Sequence, residues 1–349
     1  MKSKFDREIL DQLLPYASEV SISDGDLVRL HANELPWRNE AVMWSLRDSI
    51  LDIPSNRYPE VTNSELRSKI AGYIGYKNEN VLVGNGSDEI IDTIGKAFIE
   101  PLDKVLIPSP TFSLYSAITR VYSGVPIIIP LTSEYMLHME KLLSEAKNAK
   151  IAIICSPNNP TGVLYSEDEI KALLDTGILV VLDEAYGEFS GYTGLPLINE
   201  YDNLIVMKTF SKAFGLAGFR TGYCVGSKTV IESMSKVILP YNLNMISTKT
   251  IEFAIDHADF MNEAVKRIIE NRGYLFREME KIKEVKLVPS KTNFILFEVE
   301  NPRKIYEELI KRGILIRYFE GKKYLRVSVG TYENCVKFIS DLKEILNVR

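Results

Sequence analysis

Cysteine and histidine are both scarce, with three of each in 349 residues. Cys155, Cys224 and Cys335 are odd in number and far apart. That suits neither a disulfide framework nor a C-x-x-C metal site, and three histidines leave little for a multi-histidine one. No metal is expected, and the thiols suggest a reducing, cytoplasmic setting. A basic excess is also missing: 42 Lys and Arg against 47 Asp and Glu give a net charge of −5, whereas a nucleic-acid binder usually carries a basic patch. Apolar runs are short. The longest, such as IAIIC at 151–155 and ILVVL at 178–182, fall far below the roughly 20 residues of a membrane span. The opening MKSKFDREILDQLLPYASEV alternates charged and apolar residues and lacks the apolar stretch of a signal peptide. No G-X-Y period or internal repeat is visible, so fibrous and solenoid classes are excluded.

What remains reads as an α/β protein. Seven short apolar runs lie at 81–83, 104–107, 125–129, 151–155, 178–182, 204–207 and 221–225. Their continuity predicts strands covered on both faces, as in a mostly parallel sheet. Amphipathic stretches at 88–99, 113–122, 138–147 and 167–174 predict helices between them. After LPYNLN (239–244) the pattern changes. A long helical region at 246–283 precedes strands near 285–288, 293–299, 314–319 and 323–329, with helices at 302–312 and 332–347. Three parts are expected: a segment 1–35 packing with the small domain, a large α/β domain at 36–240, and a small α+β domain at 245–349.

Four segments carry the chemistry, and each follows a predicted strand. GNGSDEIID (84–92) runs from a glycine turn into a helix. Its free N–H groups form an anion site, although Ser87 and Asp88 would also suit an ordinary helix cap. The third glycine of a dinucleotide fingerprint is absent, which argues against a dehydrogenase. CSPNNPTG (155–162) puts amide side chains at a strand's carboxyl edge, where open α/β sheets bind ligands. Asp183 in VVLDEAYGEF ends a hydrophobic strand, costly unless it meets a cation or donors, with Tyr186 three residues on; a turn cap would serve as well. In KTFSKAFGLAGFRTG (208–222), Lys212 follows a strand and Arg220 adds a fixed charge. A lysine in an apolar crevice becomes a nucleophile, but alone Lys212 is one lysine among many. Together, an anion cradle, an amide, an acid with a phenol, and a lysine with an arginine suit one ligand: an aromatic aldehyde bearing a phosphate and a ring nitrogen.

SPNNPTG, DEAY and TFSKAFGLAGFRTG, in that order, make the chain resemble the fold-type I pyridoxal-phosphate aminotransferases. PY (15–16), RLHANELPW (29–37), NRYPE (56–60), VGNGSDEIID (83–92), KVILPYNLN (236–244) and LRVSVGT (325–331) resemble the histidinol-phosphate aminotransferases within that superfamily. The likeness runs from about Pro15 to Thr331. It implies a seven-stranded, mostly parallel sheet covered by helices, with a smaller domain, and pyridoxal 5'-phosphate as cofactor. It implies that Lys212 forms the internal aldimine and shuttles protons. Asp183 would pair with the pyridine nitrogen, Tyr186 and Asn159 would bond the phenolic oxygen, and Phe112 would stack on the ring. Gly86, Ser87, Asp88, Thr209, Ser211 and Arg220 would surround the phosphate. Tyr58 would reach the phosphate of a second subunit in a homodimer with shared sites. Arg326 would fork-bind the substrate anion, with Arg317, Tyr16, Asn33 and Asn242 as further substrate contacts. His31 stands where relatives often have Asn. The implied reaction exchanges the amino group between L-histidinol phosphate and 2-oxoglutarate, with ping-pong kinetics. A threonine-phosphate decarboxylase, an aromatic amino-acid aminotransferase and a non-enzymatic sensor or binding protein of this fold are the alternatives.

Overall fold

The computed structural model describes residues 4–13 and 27–348. A 3-10 turn (Glu8–Gln12) is followed by strand β1 (Val28–Leu30) and helices α1 (Glu40–Ser49) and α2 (Ser64–Ile74). Next come β2 (Val81–Asn85), α3 (Gly86–Phe98), β3 (Lys104–Ser109), α4 (Leu114–Val121), β4 (Val125–Pro130), α5 (Met139–Ala146), β5 (Ile151–Cys155), α6 (Glu167–Leu174) and β6 (Leu179–Asp183). They lead into β7 (Leu204–Thr209), β8 (Thr221–Gly226), α7 (Lys228–Ser235), α8 (Met245–Asp256) and α9 (Ala258–Glu280). The chain ends with β9 (Lys286–Leu287), β10 (Phe294–Glu298), α10 (Pro302–Lys311), β11 (Ile314–Tyr318), β12 (Tyr324–Ser328) and α11 (Tyr332–Ile345).

The seven apolar runs form one sheet in the order β2-β8-β7-β6-β5-β3-β4. Six of its seven strands run in one direction; β8 alone is reversed, antiparallel to both β7 and β2. Alternate residues enter two cores. Val180, Leu182, Leu204 and Val206 face one, and Val181, Ile205 and Met207 the other. Burial on both faces is why these strands read as unbroken apolar runs. The first core continues through Phe294, Phe297 and Phe338 into a second sheet, ordered β1-β11-β12-β10-β9. There β1 pairs in parallel with β11, Val28 opposite Ile314.

The expected helix at 246–283 is two helices, broken at His257. No proline or glycine marks the break. The halves bury against different neighbours: α8 packs on α1 and α2, and α9 on α11. Helices α1, α2 and α7 add cover that the apolar pattern had not indicated.

Strand direction builds the site. The carboxyl ends of β3, β5, β6 and β7 lie at one edge because the strands are parallel. Antiparallel β8 begins at that edge, with Gly222 opposite Thr209, and β2 ends there, with Asn85 opposite Thr221. All four chemistry-bearing segments therefore meet at the carboxyl edge. Among the described residues, no helix is long and apolar enough to cross a membrane.

Candidate active site

Lys212 lies three residues past β7. Its Nζ donates to the Ala32 carbonyl at 2.9 Å and sits 5.9 Å from the Tyr186 ring centre. Burial lowers its pKa to about 8, and the Arg326 and Arg220 charges push the same way against Glu34 and Asp88. A charged amine is costly away from water, so the neutral form gains.

Asp183 ends β6 and is 4% exposed. Its Oδ2 accepts from the Tyr115 hydroxyl at 2.7 Å and its Oδ1 from the Ala185 N–H at 2.9 Å. Burial raises its pKa; these two donors oppose that, while Asp88 and Glu184 add to it. Among the described residues both its hydrogen-bond partners are neutral and it forms no ion pair. Tyr115 was not foreseen. It lies three residues beyond Phe112, across the turn that leads into α4, and their rings meet edge-on at 5.6 Å.

An anion cradle forms where α3 opens beside β8. Gly86 has φ +79°, and a Cβ there would come 2.6 Å from Arg220 Nη2. A Cβ on Gly222 would strike the Ser87 nitrogen at 2.5 Å. The two glycines thus let the helix N-terminus, with its unpaired N–H groups, approach the strand and the arginine. Arg220 holds Asp88 at 2.9 Å. Thr209 and Ser211 are buried alongside, with the Ser211 N–H donating to Thr209 Oγ1 at 3.1 Å.

The second sheet closes the crevice. Buried Asn33, φ +55°, donates through Nδ2 to the Tyr186 hydroxyl at 3.0 Å. Its N–H donates to Ser328 Oγ, and that hydroxyl donates back to Asn33 Oδ1, both at 2.9 Å. Asn293 holds the Asn33 carbonyl at 2.9 Å. Arg326 on β12 donates to Asn159 Oδ1 at 2.5 Å and to the His31 carbonyl at 2.6 Å. It lies opposite Arg317 of β11 in the strand register. Burial and the Arg29, Arg317 and Arg326 charges lower the pKa of His31, against the pull of Glu34. Asn158 ties the loop after β5 to that after β3, accepting from Thr111 at 2.8 Å and donating to the Pro110 carbonyl at 3.0 Å. Asn158, Asn293 and Ser328 were also unforeseen; only Asn158, inside SPNNPTG, sat in a flagged motif.

Two predicted residues lie elsewhere, and one falls outside the described residues. Asn242 bonds Asn63, Val83 and Glu89 beyond the edge strand β2, beside a cavity of about 170 Å³. Tyr58 is 80% exposed and stacks on Tyr241 with ring centres 4.7 Å apart. Tyr16 lies outside the described residues.

These groups fit pyridoxal phosphate. A buried carboxylate without a cation could take a protonated ring nitrogen, the glycine-lined helix end with Arg220 could take the phosphate, and Lys212 the aldehyde. Phe112 is half-buried at the same edge and could flank the ring.

Comparison with known proteins agrees. The model of aminotransferase class I and II matches residues 26–342. A histidinol-phosphate aminotransferase of Thermoanaerobacter sp. (strain X514) is 39% identical over 91% of this chain and 93% of its own. That of Pyrococcus furiosus is 35% identical over 97% and 98%. The crystal structure of histidinol-phosphate aminotransferase from Sinorhizobium meliloti in complex with pyridoxal-5'-phosphate superimposes with a TM-score of 0.87, at 22% identity, over 99% of this chain and 98% of that one. The chain is a class I and II aminotransferase, a pyridoxal-phosphate-dependent transaminase, and belongs to the histidinol-phosphate aminotransferase family.

Proposed function

We propose that this enzyme moves the amino group of L-histidinol phosphate to 2-oxoglutarate, yielding imidazole-acetol phosphate and L-glutamate, in histidine biosynthesis. The observation that carries the reading is a half-buried amine with pKa near 8 at the same sheet edge as a buried, cation-free carboxylate. The substrate is the one named by relatives that match nearly end to end.

When bound, pyridoxal phosphate supplies an aldehyde that condenses with amines and a ring that draws electron density from the substrate's amine-bearing carbon. Lys212 Nζ, largely able to shed its proton near pH 8, would take the proton from that carbon and pass it to the carbon that had carried the cofactor's aldehyde. Asp183 holds a proton on the ring nitrogen by remaining ionised. Asn33, through the Tyr186 hydroxyl, and Asn159 orient the phenolic side of the ring. Phe112 fixes its face. Gly86, Ser87, Asp88, Thr209, Ser211 and Arg220 bind the phosphate through N–H, hydroxyl and guanidinium donors. Arg326 exchanges its contacts with Asn159 and the His31 carbonyl for the substrate anion, phosphate in one half-reaction and carboxylate in the other. A guanidinium fork suits both. Arg317 adds charge beside it, and Tyr16 is a further contact on the substrate side.

The same reading makes the working unit a homodimer in which Tyr58 serves the neighbouring subunit's phosphate. Supporting this, Trp44, Leu51 (93% exposed), Tyr58, Val61, Leu239 and Ile246 are exposed apolar groups on α1, α8 and the loops beside them. Such clusters mark association surfaces. We also assign 36–240 and 245–349 to separate domains, with the N-terminal segment on the smaller. Three buried, unpaired thiols suit a cytoplasmic enzyme.

The test is a half-reaction series on the holoenzyme, followed spectrally. Histidinol phosphate should discharge the bound chromophore, and 2-oxoglutarate should restore it. Faster turnover of phenylalanine or tyrosine, or CO2 release from threonine phosphate, would assign the site to the aromatic transaminase or the decarboxylase.

A further inference from the structure

We propose that Tyr115 is a positioning residue of this transaminase: its hydroxyl fixes the carboxylate of Asp183 and its ring fixes Phe112, so one side chain sets both the counter-charge and the stacking face of the cofactor. The proposal rests on the transaminase reading above.

The side chain is placed for both tasks. Tyr115 is wholly buried in the first turn of α4. Its hydroxyl donates to Asp183 Oδ2 at 2.7 Å. Its ring meets that of Phe112 at 5.6 Å and 87°, an edge-to-face pair. The helix is held in turn by Thr119, whose hydroxyl donates to the Tyr115 carbonyl at 2.8 Å. A buried phenol finds a partner or pays for its absence, and here the partner is the carboxylate itself.

The need for the phenol follows from what else surrounds Asp183. Around it stand Tyr115 from α4, Cys155 from β5, Asp88 from α3, and Glu184 and Tyr186 from its own strand's extension. None is cationic. Burial and the two acids favour the protonated form, and among the described residues the hydrogen bonds from Tyr115 and the Ala185 N–H oppose it. A protonated Asp183 is no counter-ion for a ring nitrogen. The Ala185 N–H is backbone and survives any substitution, so Tyr115 is the side chain that decides the carboxylate's state before the cofactor arrives.

Tyr115→Phe keeps the ring and removes the donor. A hydrogen bond to a charged group corresponds to about a ten- to hundredfold change in an equilibrium. Pyridoxal phosphate titrated into the apoenzyme should therefore bind Tyr115→Phe about ten- to hundredfold more weakly than wild type. In an Asp183→Asn background the same substitution should cost less than about threefold, because the charge it serves is gone. Carbon-13 NMR of labelled aspartate in the apoenzyme should show the Asp183 carboxyl titrating about one unit or more higher in Tyr115→Phe. A fluorinated tyrosine at 115, a stronger donor of the same shape, should lower it; this arm decides the matter if Tyr115→Phe does not fold. Equal losses in both backgrounds would show a packing role only and overturn the proposal. So would an unmoved carboxyl titration. A wild type that takes up no pyridoxal phosphate would sink the transaminase reading and this proposal together. A wild type that binds while Tyr115→Phe binds equally well would sink this proposal alone.

Discussion

Lys208 offers a sharp test of how the Lys212 loop is held. It lies on β7, four residues before Lys212, and its Nζ reaches Glu184 Oε2 and Glu188 Oε1, both at 3.1 Å. The Lys208 side chain is 9% exposed and that of Glu184 0%. Burial works against the ammonium, but Glu188 and Glu184 outweigh it and hold its pKa above the ordinary lysine range. Glu184 is tied further, accepting from Thr193 Oγ1 at 2.6 Å and from the Gly194 N–H at 2.5 Å. Since Glu184 follows Asp183 and Glu188 follows Tyr186 by two residues, the cluster straps β7 to the loop that carries both.

Lys208→Met keeps most of the volume and removes the charge. Two carboxylates are then left without their cation, and breaking a buried pair this way costs about 3–5 kcal/mol. With an unfolding entropy near 2.1 cal/mol/K per residue, a chain of this length loses about 1.4 °C per kcal/mol, so the melting temperature should fall by about 4–7 °C. The assay is thermal unfolding of the holoenzyme followed by circular dichroism. Lys208→Arg should keep most of the stability. Lys208→Met combined with Glu188→Gln should lose less than the sum of the single changes, since the two side chains touch. A Lys208→Met protein melting within about 1 °C of wild type would refute the reasoning, because the cluster would then be bearing no net load.

Lys212 in the apoenzyme should react with an amine-selective reagent with a midpoint near pH 8, and Arg326→Gln should move that midpoint upward; peptide mapping reads both, and a midpoint near the ordinary lysine value would contradict the burial argument. The same shift has a sign in stability. Between pH 8 and 10.5 the unfolded chain binds a proton at Lys212 that the folded chain does not, so this residue makes folding more favourable as pH rises through that window, and Lys212→Met should flatten the rise. Asn33→Ala removes the donor to Tyr186 and the side-chain acceptor for the Ser328 hydroxyl, leaving the backbone N–H on that hydroxyl; kcat/KM should fall about tenfold or more, with the melting temperature lowered by a few degrees at most. Tyr58→Ala should weaken retention of pyridoxal phosphate only in the dimer, which sedimentation at graded concentration and gel filtration would separate from a loss of assembly.

The large sheet was legible because its strands are covered twice. IAIIC and LIVM carry no polar face, so length and flanking turns were enough to read them. Its carboxyl edge was legible for the same reason: once the strands were known to be parallel, Asp183 and the 156–162 loop had to meet. The 246–283 stretch misled because nothing local records that α8 and α9 bury against different partners. Tyr115 escaped because one tyrosine among 18 carries no signal of its own; only the tertiary neighbour, a carboxylate 68 residues away in sequence, gives it a role. Asn33 was flagged, but by resemblance. Its bonds join β12, the loop before β10 and the DEAY segment, and a three-residue strand such as β1 gives no hint that it docks on β11.

The two lysines of this segment show why motif and geometry must be weighed together. Lys208 and Lys212 are four residues apart, and chemically identical. Lys208 meets two acids across the β7 face that looks toward Tyr73 and Tyr223, so its proton is held and its work is structural. Lys212 lies past the strand's end, where the nearest fixed charges include Arg326 and Arg220, and its proton is loosened. The same burial that makes the first a clamp makes the second a nucleophile; the sign of the neighbouring charge decides between them. In the proposed role of Lys212 the crevice does most of this loosening and the arginines add to it. In the proposed reaction Arg326 would act twice: its charge loosens the Lys212 proton, and it would bind the substrate anion afterwards. When that anion neutralises the guanidinium, one of the charges holding the Lys212 pKa down is offset, so substrate binding itself should make Lys212 a stronger base at the moment a proton has to be taken from carbon.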